Sequence, residues 1–560
     1  MATVDQSIKV DRNNIQRRWD ALKNERSTWF DHWRELSEYV MPRTGRFFIT
    51  DRNRGDKRIN KIYDNTATRS LRILGAGMMS GNTSPARPWI RLQTDDPDLN
   101  KYAPVKAWLS DVTALQLRIF HKSNTYRMLH QAYEELGLYG TSASVQMNDF
   151  KNVIHHHPLT IGEYAIAVNE RNEVDTLYRE LQMRVGAVVR EFGLENCSDT
   201  IKAMHRSGNL DSWVTVVHAI EPRVERDPNS LIAANKAFAS IYFEPGTSQD
   251  KFLRVSGFDR FRALCPRWAA TGGDIYGSSP GMDVLGDVKQ LQHEQLRKAQ
   301  GIDYKTNPPL QVPISMQHSQ LDRLPGGVTF VDDTSPGRGI RSAFDVNLDL
   351  SHLLADIGDI RQRINSGFYA DLFLMLANST DQSKTATEVA ELHEEKMLML
   401  GPVLERLNNE LLTPLVENTF ARCVEVGILP PPPKELQGRP LSIEFISVLA
   451  QAQRAIGAGS TDRFVNSIGA VAGFKPEVLD KFDADEWAEA YADTLGIDPR
   501  LIVPGDKVAL IRQARTEEAM RQQQMAALQQ GAGAARDLAS ASQQIDAAPN
   551  VLSQFTGYNS

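Results

Sequence analysis

Residues 379–396 read STDQSKTATEVAELHEEK, and this stretch decides between two kinds of molecule. His393–Glu394 starts like a zinc-protease motif, in which HExxH sets two imidazoles on one helix face. The position four residues after His393 is Met397, so the second imidazole is missing. Glu391, Glu394 and Glu395 then read as a charged helix face. What remains is a polar loop feeding a helix. Thr385 and Glu388 form a T-x-x-E capping box, with Thr385 as N-cap. Val389, Leu392, Met399, Val403, Leu407, Leu411 and Leu415 keep helical spacing from there. Gly427 and the run Pro430 to Pro433 stop it. That predicts a helix of roughly 40 residues, about 60 Å at 1.5 Å rise per residue. Pro402 and Pro414 lie inside it and predict kinks.

Upstream of the loop, LDLSHLLADIGDIRQRINSGFYADLF (348–373) reads as one helix. A second helix, from about Asp283 to Gln300, is charged and Gln-rich, with few large apolar residues for its length. A helix polar all round needs neighbours from other chains, or it sits in solvent. Between the two lies NPPLQVPISMQHSQLDRLPGGVTFVDDTSPGRGI, which has hairpin chemistry and no apolar period.

Farther upstream, Trp19, Leu22, Trp29, Trp33, Leu36 and Val40 form one helical stripe that only Arg26 interrupts, and Pro42 ends it. Gly75, Gly77 and Gly81 in TATRSLRILGAGMMSG superficially suggest a dinucleotide loop. Such a loop must follow a strand and open a helix, whereas this segment is itself a helix, so close helix packing is the better reading. A Ser-Pro turn and the extended WIRL come next, then two helices over 104–140. SASVQMND, TIGEYAIAVNE and VDTLYRELQM read as antiparallel strands, with NERN as a hairpin turn. SWVTVVHAIEPR, ASIYFEP and KFLRVSGFDRFRALCPRW renew the strand signal from 211 to 262. His155, His156 and His157 alternate faces on a strand, which argues against a shared metal. Downstream, LSIEFIS (441–447) is a strand, and helical segments follow. From Asp506 the Ala-, Gln-, Arg- and Glu-rich composition prefers helix but has little to bury alone.

Over 560 residues, with 41% hydrophobic and 24% charged residues, two to four structural units are expected. The net charge of −7 argues against a basic, sequence-reading DNA binder, though not against a protein that surrounds DNA. Cys197, Cys265 and Cys423 are isolated, so neither a zinc ribbon nor a disulfide framework is indicated. The polar N-terminus lacks an apolar signal segment, and LFLMLA (372–377) is far too short to span a bilayer. A soluble protein of a reducing compartment is expected. No phosphate-cradling GxxxxGK[ST] loop and no GxSxG elbow occurs. Asp95–Asp96 and Asp332–Asp333 sit in turn-like stretches. No catalytic residues, metal ligands or cofactor are therefore assigned.

The order of segments resembles the head-to-tail connector (portal) proteins of short-tailed bacteriophages across nearly the whole chain. Its carriers are RRWDALKNERSTWFDHWRELSEYVMPRTGRF, YDNTATRSLRILGAGMMSGNTSPARPWIRL and PLTIGEYAIAVNERNEVDTLYRELQM. Most telling is KTATEVAELHEEKMLMLGPVLERLNNELLTPLVENTFARCVEVGILP. Lys384 stands where that family's pattern carries an apolar residue, often Met.

The resemblance implies an α+β, mainly helical portal fold. Residues 1–280 would form the wing, 281–304 a first stem helix, 305–345 the clip and 346–375 a second stem helix. The tunnel loop would span 376–384, the long kinked helix and a wing strand 385–448, the crown 449–505, and a C-terminal helical barrel or tail 506–560. Asn378, Ser379, Thr380, Asp381, Gln382, Ser383 and Lys384 would face DNA. Function would be that of a ring, usually of twelve subunits, at one capsid vertex of the virion, assembled in the host cytoplasm. Double-stranded DNA would pass through it without sequence specificity during packaging and ejection. Partners would be terminase, tail adaptor, capsid or scaffolding and internal core proteins, with no membrane and no enzymatic role. The competing readings are another virion component, such as a tail or internal core protein, and a terminase-like nuclease. The nuclease would need acidic metal ligands that the sequence does not assemble.

Overall fold

Arg26 interrupts the stripe of the first helix, and the computed structural model shows what it does there. Its guanidinium is buried and donates to the backbone oxygens of Gly162 (3.0 Å) and Tyr164 (2.5 Å), binding the helix to the following sheet. The structure describes residues 11–47, 61–227, 230, 232–246, 251–307, 309–312, 314, 341–342, 351–377, 399–447, 449, 464–465, 467–488, 503 and 507–525.

Helix α1 (Arg12–Val40) buries Ile15, Trp19, Leu22, Trp33, Leu36 and Val40, and stops before Pro42 as expected. Helix α2 (Thr66–Asn82) and strand β1 (Ile90–Thr94) match the small-residue helix and the extended WIRL. Asp96 caps the short α3 (Pro97–Lys101), which agrees with the turn reading of Asp95–Asp96. Helices α4 (Ala103–Lys122) and α5 (Thr125–Tyr139) follow. Strands β2 (Ala143–Asp149), β3 (Val153–Leu159), β4 (Tyr164–Val168) and β5 (Val174–Arg184) come next. Two short helices that the sequence reading did not separate, α6 (Val185–Phe192) and α7 (Asp199–Arg206), precede β6 (Trp213–Pro222). Strands β7 (Phe238–Phe243), β8 (Arg254–Phe258) and β9 (Ala263–Leu264) complete the first half.

A short α8 (Pro280–Asp283) opens α9 (Leu285–Thr306). Strands β10 (Leu310–Gln311) and β11 (Arg341–Ser342) pair antiparallel beyond its end. The single helix expected over 348–373 is two, α10 (Ser351–Gly367) and α11 (Ala370–Ala377). The break falls at Tyr369, whose φ is +55°. Its cause is docking in two directions. Ile357, Ile360 and Ile364 are buried where α10 meets α9, while Leu372 and Phe373 are buried where α11 meets α2.

The long helix is described from residue 399. Its expected break near Pro414 takes the form of a π-turn, Asn408–Leu412, in which Thr413 N–H bonds back to Asn408 O. Proline has no N–H to donate and crowds the carbonyl four residues back, so the chain widens by one residue ahead of it. Helix α12 (Thr413–Val426) ends at Gly427, with φ +70°, as the sequence anticipated. Strand β12 (Leu441–Phe445) returns to pair antiparallel with β1. Residues 484–488 and 507–525 are helical, with Arg512 bonding both carboxylate oxygens of Asp485 (2.5 and 2.7 Å).

The architecture is mixed helix and sheet. Strands β4-β5-β6-β7-β8 make an antiparallel meander. Ile15, Trp19 and Leu22 of α1 cover one face, and Val188, Phe192 and Ile201 of α6 and α7 the other. A smaller sheet, β3-β2-β9, lies in the main core with α2, α4, α5 and the long helix. Arg179, His218 and Tyr242 stand side by side across β5, β6 and β7. Arg179 Nε donates to His218 Nδ1 at 3.0 Å, so the neutral ring turns its other nitrogen to Ser240 Oγ at 2.9 Å. Burial, then the Arg179 charge, keeps that imidazole well below the usual histidine range.

Candidate functional site

Residues Asn378, Ser379, Thr380, Asp381, Gln382, Ser383 and Lys384 lie outside the described residues, as do Thr385, Glu388, His393 and Met397. What the structure supplies is the pair of anchors on either side of that stretch, and the root of the two helices leading to it.

The upstream anchor is α11, which lies against α2 at a glycine. A Cβ on Gly77 would meet the Phe373 ring at 2.2 Å, so only hydrogen lets the two helices approach this closely. A Cβ on Gly75 would likewise meet the Glu134 side chain of α5, at 2.8 Å. Both glycines therefore serve helix packing, as the sequence reading held.

The downstream anchor is the helix from residue 399. Leu400, Leu404, Leu407, Leu411 and Leu415 are buried along it. At its π-turn, Glu410 meets Arg267, whose side chain is 1% exposed. Arg267 Nη2 reaches Glu410 Oε1 at 2.8 Å and Nε reaches Oε2 at 3.3 Å, while the Arg267 backbone N–H donates to Oε2 at 2.9 Å. The same guanidinium donates to Asn172 O (2.6 Å) in the β4–β5 turn and to Asp274 O (3.4 Å). One buried cation thus joins the long helix to the large sheet. Neither residue was singled out from sequence, because the pairing spans distant segments that carry no common motif.

The root of α9 and α10 is held by Asp64, from the YDNT stretch ahead of α2. Gln292 Oε1 accepts from the Tyr63 and Asp64 N–H groups (2.6 and 2.8 Å), and its amide donates to Asp64 O (2.9 Å). Arg361 Nε and Nη2 donate to Asp64 Oδ2 at 3.0 and 2.6 Å, and Gln295 donates to the same oxygen at 3.1 Å. Thr66 donates to Oδ1 through both N–H and hydroxyl. Burial alone would raise this carboxyl, but the bonds from Thr66 and Arg361 outweigh it and hold its pKa below the usual range. Arg363 pairs with Asp287 at 3.4 Å, and Gly367 leaves room for Val284, so the two helices run antiparallel from this root. Two glutamines at helical spacing facing the body were the available signal in sequence.

Beyond the root the pair is bare. The buried residues of α9 are Leu285, Val288, Leu291 and Gln292, all in its first turns. In α10 they are Ile357, Ile360 and Ile364, toward its end. Ile302, Tyr304 and Leu354 are exposed.

The residues that suggested chemistry fall elsewhere. His156 is buried and His155 and His157 are exposed, so the triplet alternates faces as expected. Burial, with smaller contributions from His155 and His157, depresses the His156 pKa to about 3. All three cysteines are free and buried. Burial pushes the Cys197 and Cys423 thiols up to about 11 and Cys265 higher still, the opposite of an activated nucleophile. Among the described residues, no group of three or more metal-ligating side chains converges, and no helix is long and apolar enough to cross a membrane. The arrangement is built to hold and position segments.

A family model described as bacteriophage head to tail connecting protein matches residues 12–503. The chain belongs to this connector family. A relative described as "Probable portal protein", from Bordetella phage BPP-1, is 60% identical over 551 residues, covering 98% of this chain and 99% of the relative. Another, "Portal protein" of Salmonella phage epsilon15, is 46% identical over 531 residues, covering 95% and 96%. Among solved structures, one from the virion of a native gene transfer agent particle is 11% identical and covers 77% of this chain and 90% of its own. Its TM-score of 0.33 is too low to bear on the fold. The resemblance read from the sequence is borne out, and with it the portal function: the chain is a structural component of the phage head-to-tail connection.

Proposed function

We propose that copies of this chain form a ring at one capsid vertex, with a channel that passes double-stranded DNA during packaging and ejection. The observation that carries this is the α9–α10 pair, antiparallel and hydrogen-bonded at its root, with outer turns that bury no side chain among the described residues. Such turns gain partners when identical pairs stand side by side around a channel.

On this reading residues 281–304 and 346–375 are the stem, 305–345 the clip, 1–280 with the strand near 441 the wing, 449–505 the crown and 506–560 a terminal barrel or tail. Asn378 to Lys384 form the loop that meets DNA. Lys384 contributes a cationic contact to phosphate, and Asn378, Ser379 and Gln382 add neutral donors that read no sequence. The chain hydrolyses nothing itself. Terminase docks on the ring during packaging and tail proteins dock afterwards, while capsid, scaffolding and internal core proteins surround it.

Mass measurement with negative-stain imaging of purified protein tests the assembly, and a ring with a central hole is expected. A monomer with metal-dependent nuclease activity overturns the reading. The loop is tested by DNA retention in particles carrying Lys384→Ala or lacking residues 378–384. Leakage of packaged DNA is expected, and normal packaging and retention in both would sink the loop assignment.

A further inference from the structure

The connector role makes no use of the histidine triplet on β3. Alternation along the strand turns His156 inward and leaves His155 and His157 together on one exposed face. Residues two apart on a strand have Cα atoms about 6.4–6.8 Å apart, and side chains standing straight out would keep that separation. The two ring centres are only 5.0 Å apart, with their planes inclined at 76°, so the imidazoles lean toward each other.

That spacing suits a shared ion. A metal about 2.0–2.1 Å from an imidazole nitrogen lies roughly 3.2 Å from the centre of that ring. Two imidazoles bound to it at about 90–110° therefore have centres about 4.5–5.2 Å apart. The observed 5.0 Å falls inside this interval, so a metal would need no movement of the strand. The rings are also chemically ready. Among the described residues neither forms a hydrogen bond that would occupy its nitrogens. A metal takes the neutral ring. Burial, then the charge of Arg179, holds the His157 pKa down at about 4, so its lone pair is available at neutral pH. The charges near the pair are of opposite sign. Arg179 acts on His157, while Asp149 acts on His155 from two residues beyond Met147, the cross-strand partner of His155.

We propose that His155 and His157 chelate one late first-row transition-metal ion on the exposed face of β3, with Cu²⁺ held most tightly. Imidazole nitrogens suit copper, nickel and zinc, and Cu²⁺ leads the affinity order for a given nitrogen site. Mg²⁺, which takes oxygen ligands, is refused. His156 takes no part, because its ring is buried on the opposite face. Water completes the coordination. The site lies within one chain, so it stands whether or not copies assemble.

The test is calorimetric titration of purified full-length protein with Cu²⁺, Ni²⁺, Zn²⁺ or Mg²⁺, each alone, in a non-coordinating buffer. The parent is compared with His155→Gln, His157→Gln and the double variant. One Cu²⁺ per chain is expected at a site that each single variant weakens by at least about 10–100-fold, the loss seen when a ligand merely loses its supporting partner. Affinity should fall from Cu²⁺ to Ni²⁺ and Zn²⁺, with no heat from Mg²⁺. The electron spin-echo spectrum of bound Cu²⁺ should report two imidazoles in the parent and one in each single variant. Both side chains are exposed, so the variants should unfold at the parent's temperature, which separates loss of a ligand from loss of the fold. Parent affinity retained in the double variant places the ion elsewhere and overturns the site. A loss confined to one single variant reduces the site to one ligand and overturns the chelate. Binding no tighter than that of a lone imidazole leaves the pair as an edge-to-face aromatic contact, and overturns it too.

Discussion

The seam at Arg267 and the outer turns of α9 and α10 are opposite solutions to the same problem of placing polar groups on a helical scaffold. At the seam, one chain provides everything. Arg267 is buried to 1% exposure and its donors meet Glu410, Asn172 and Asp274. On the outer turns the described residues provide almost nothing, and Ile302, Tyr304 and Leu354 stand exposed. The first region is closed within a copy. The second is left open, as expected where copies complete one another. Substitutions at the seam should therefore damage the single chain, and those on the outer turns should damage only the assembly.

The largest effect is expected from Arg267→Ala. Removing the buried partner leaves Glu410 with only the more exposed Arg406, 3.3 Å away, and strips donors from two turns, at a cost of roughly 3–5 kcal/mol. Chemical denaturation of the purified chain should show a lowered midpoint. Replacing both residues, as Arg267→Met with Glu410→Leu, should recover much of that loss, because no charge is then left buried alone. A double variant as unstable as the single would mean that the backbone bonds, and not the charge pair, hold the seam.

Asp64 sits between the two regimes, partly buried and tied to both outer helices. Asp64→Asn removes the charge from Arg361 and should cost about 1–3 kcal/mol. The pH dependence gives the sharper readout. The folded-state pKa is depressed, so the stabilisation is present above the unfolded carboxylate value and is lost as pH falls through the folded one. The Asn variant should therefore lose part of the acid-side slope in stability, measured by urea unfolding between about pH 5 and pH 2. An unchanged slope would break the link between this carboxylate and the helix root.

His156 contributes to the same acid limb from a different window. Its ring is buried and its pKa is depressed from 6.5 to about 3, so the unfolded chain binds its proton first as pH falls. Stability from this site is complete above about 6.5 and declines toward 3. His156→Leu should flatten that decline by about one proton's worth while leaving stability near neutral pH within about 1.5 kcal/mol. Equal acid sensitivity in the variant would place the lost protons elsewhere.

Most of the element order was legible in sequence, because periodicity reports burial. The Trp19–Val40 stripe, the alternating strands and the Gly427 stop follow from side-chain spacing and backbone sterics alone. Other features depended on long-range partners. The break at Tyr369 arises from two docking targets, and nothing local marks it. Arg26 looked like an interruption of a stripe and is a donor to carbonyls more than a hundred residues away. The π-turn was foreshadowed by Pro414, though its use, aiming Glu410 at Arg267, was not. The loop proposed to meet DNA was read from its cap and the family resemblance. Its anchors, Gly77 under Phe373 and the leucines from Leu400, are what the structure adds.

The smallest effect on the single chain is expected at Tyr304, and it is the one that best separates the two regions. This side chain is about half exposed near the end of α9, and among the described residues no ring contact or side-chain bond ties it to the body. Tyr304→Ser should leave the unfolding free energy within about 0.5 kcal/mol, as for other surface changes. If copies of α9 and α10 cover one another in a ring, the same substitution should weaken assembly, read as a higher protein concentration for half-maximal ring formation. A loss of stability without a loss of assembly would reverse the comparison, placing the outer turns with the closed region. No change in either would mean that the exposed ring faces solvent in the assembled state too, which would confine the copy-to-copy contacts to other turns of the pair.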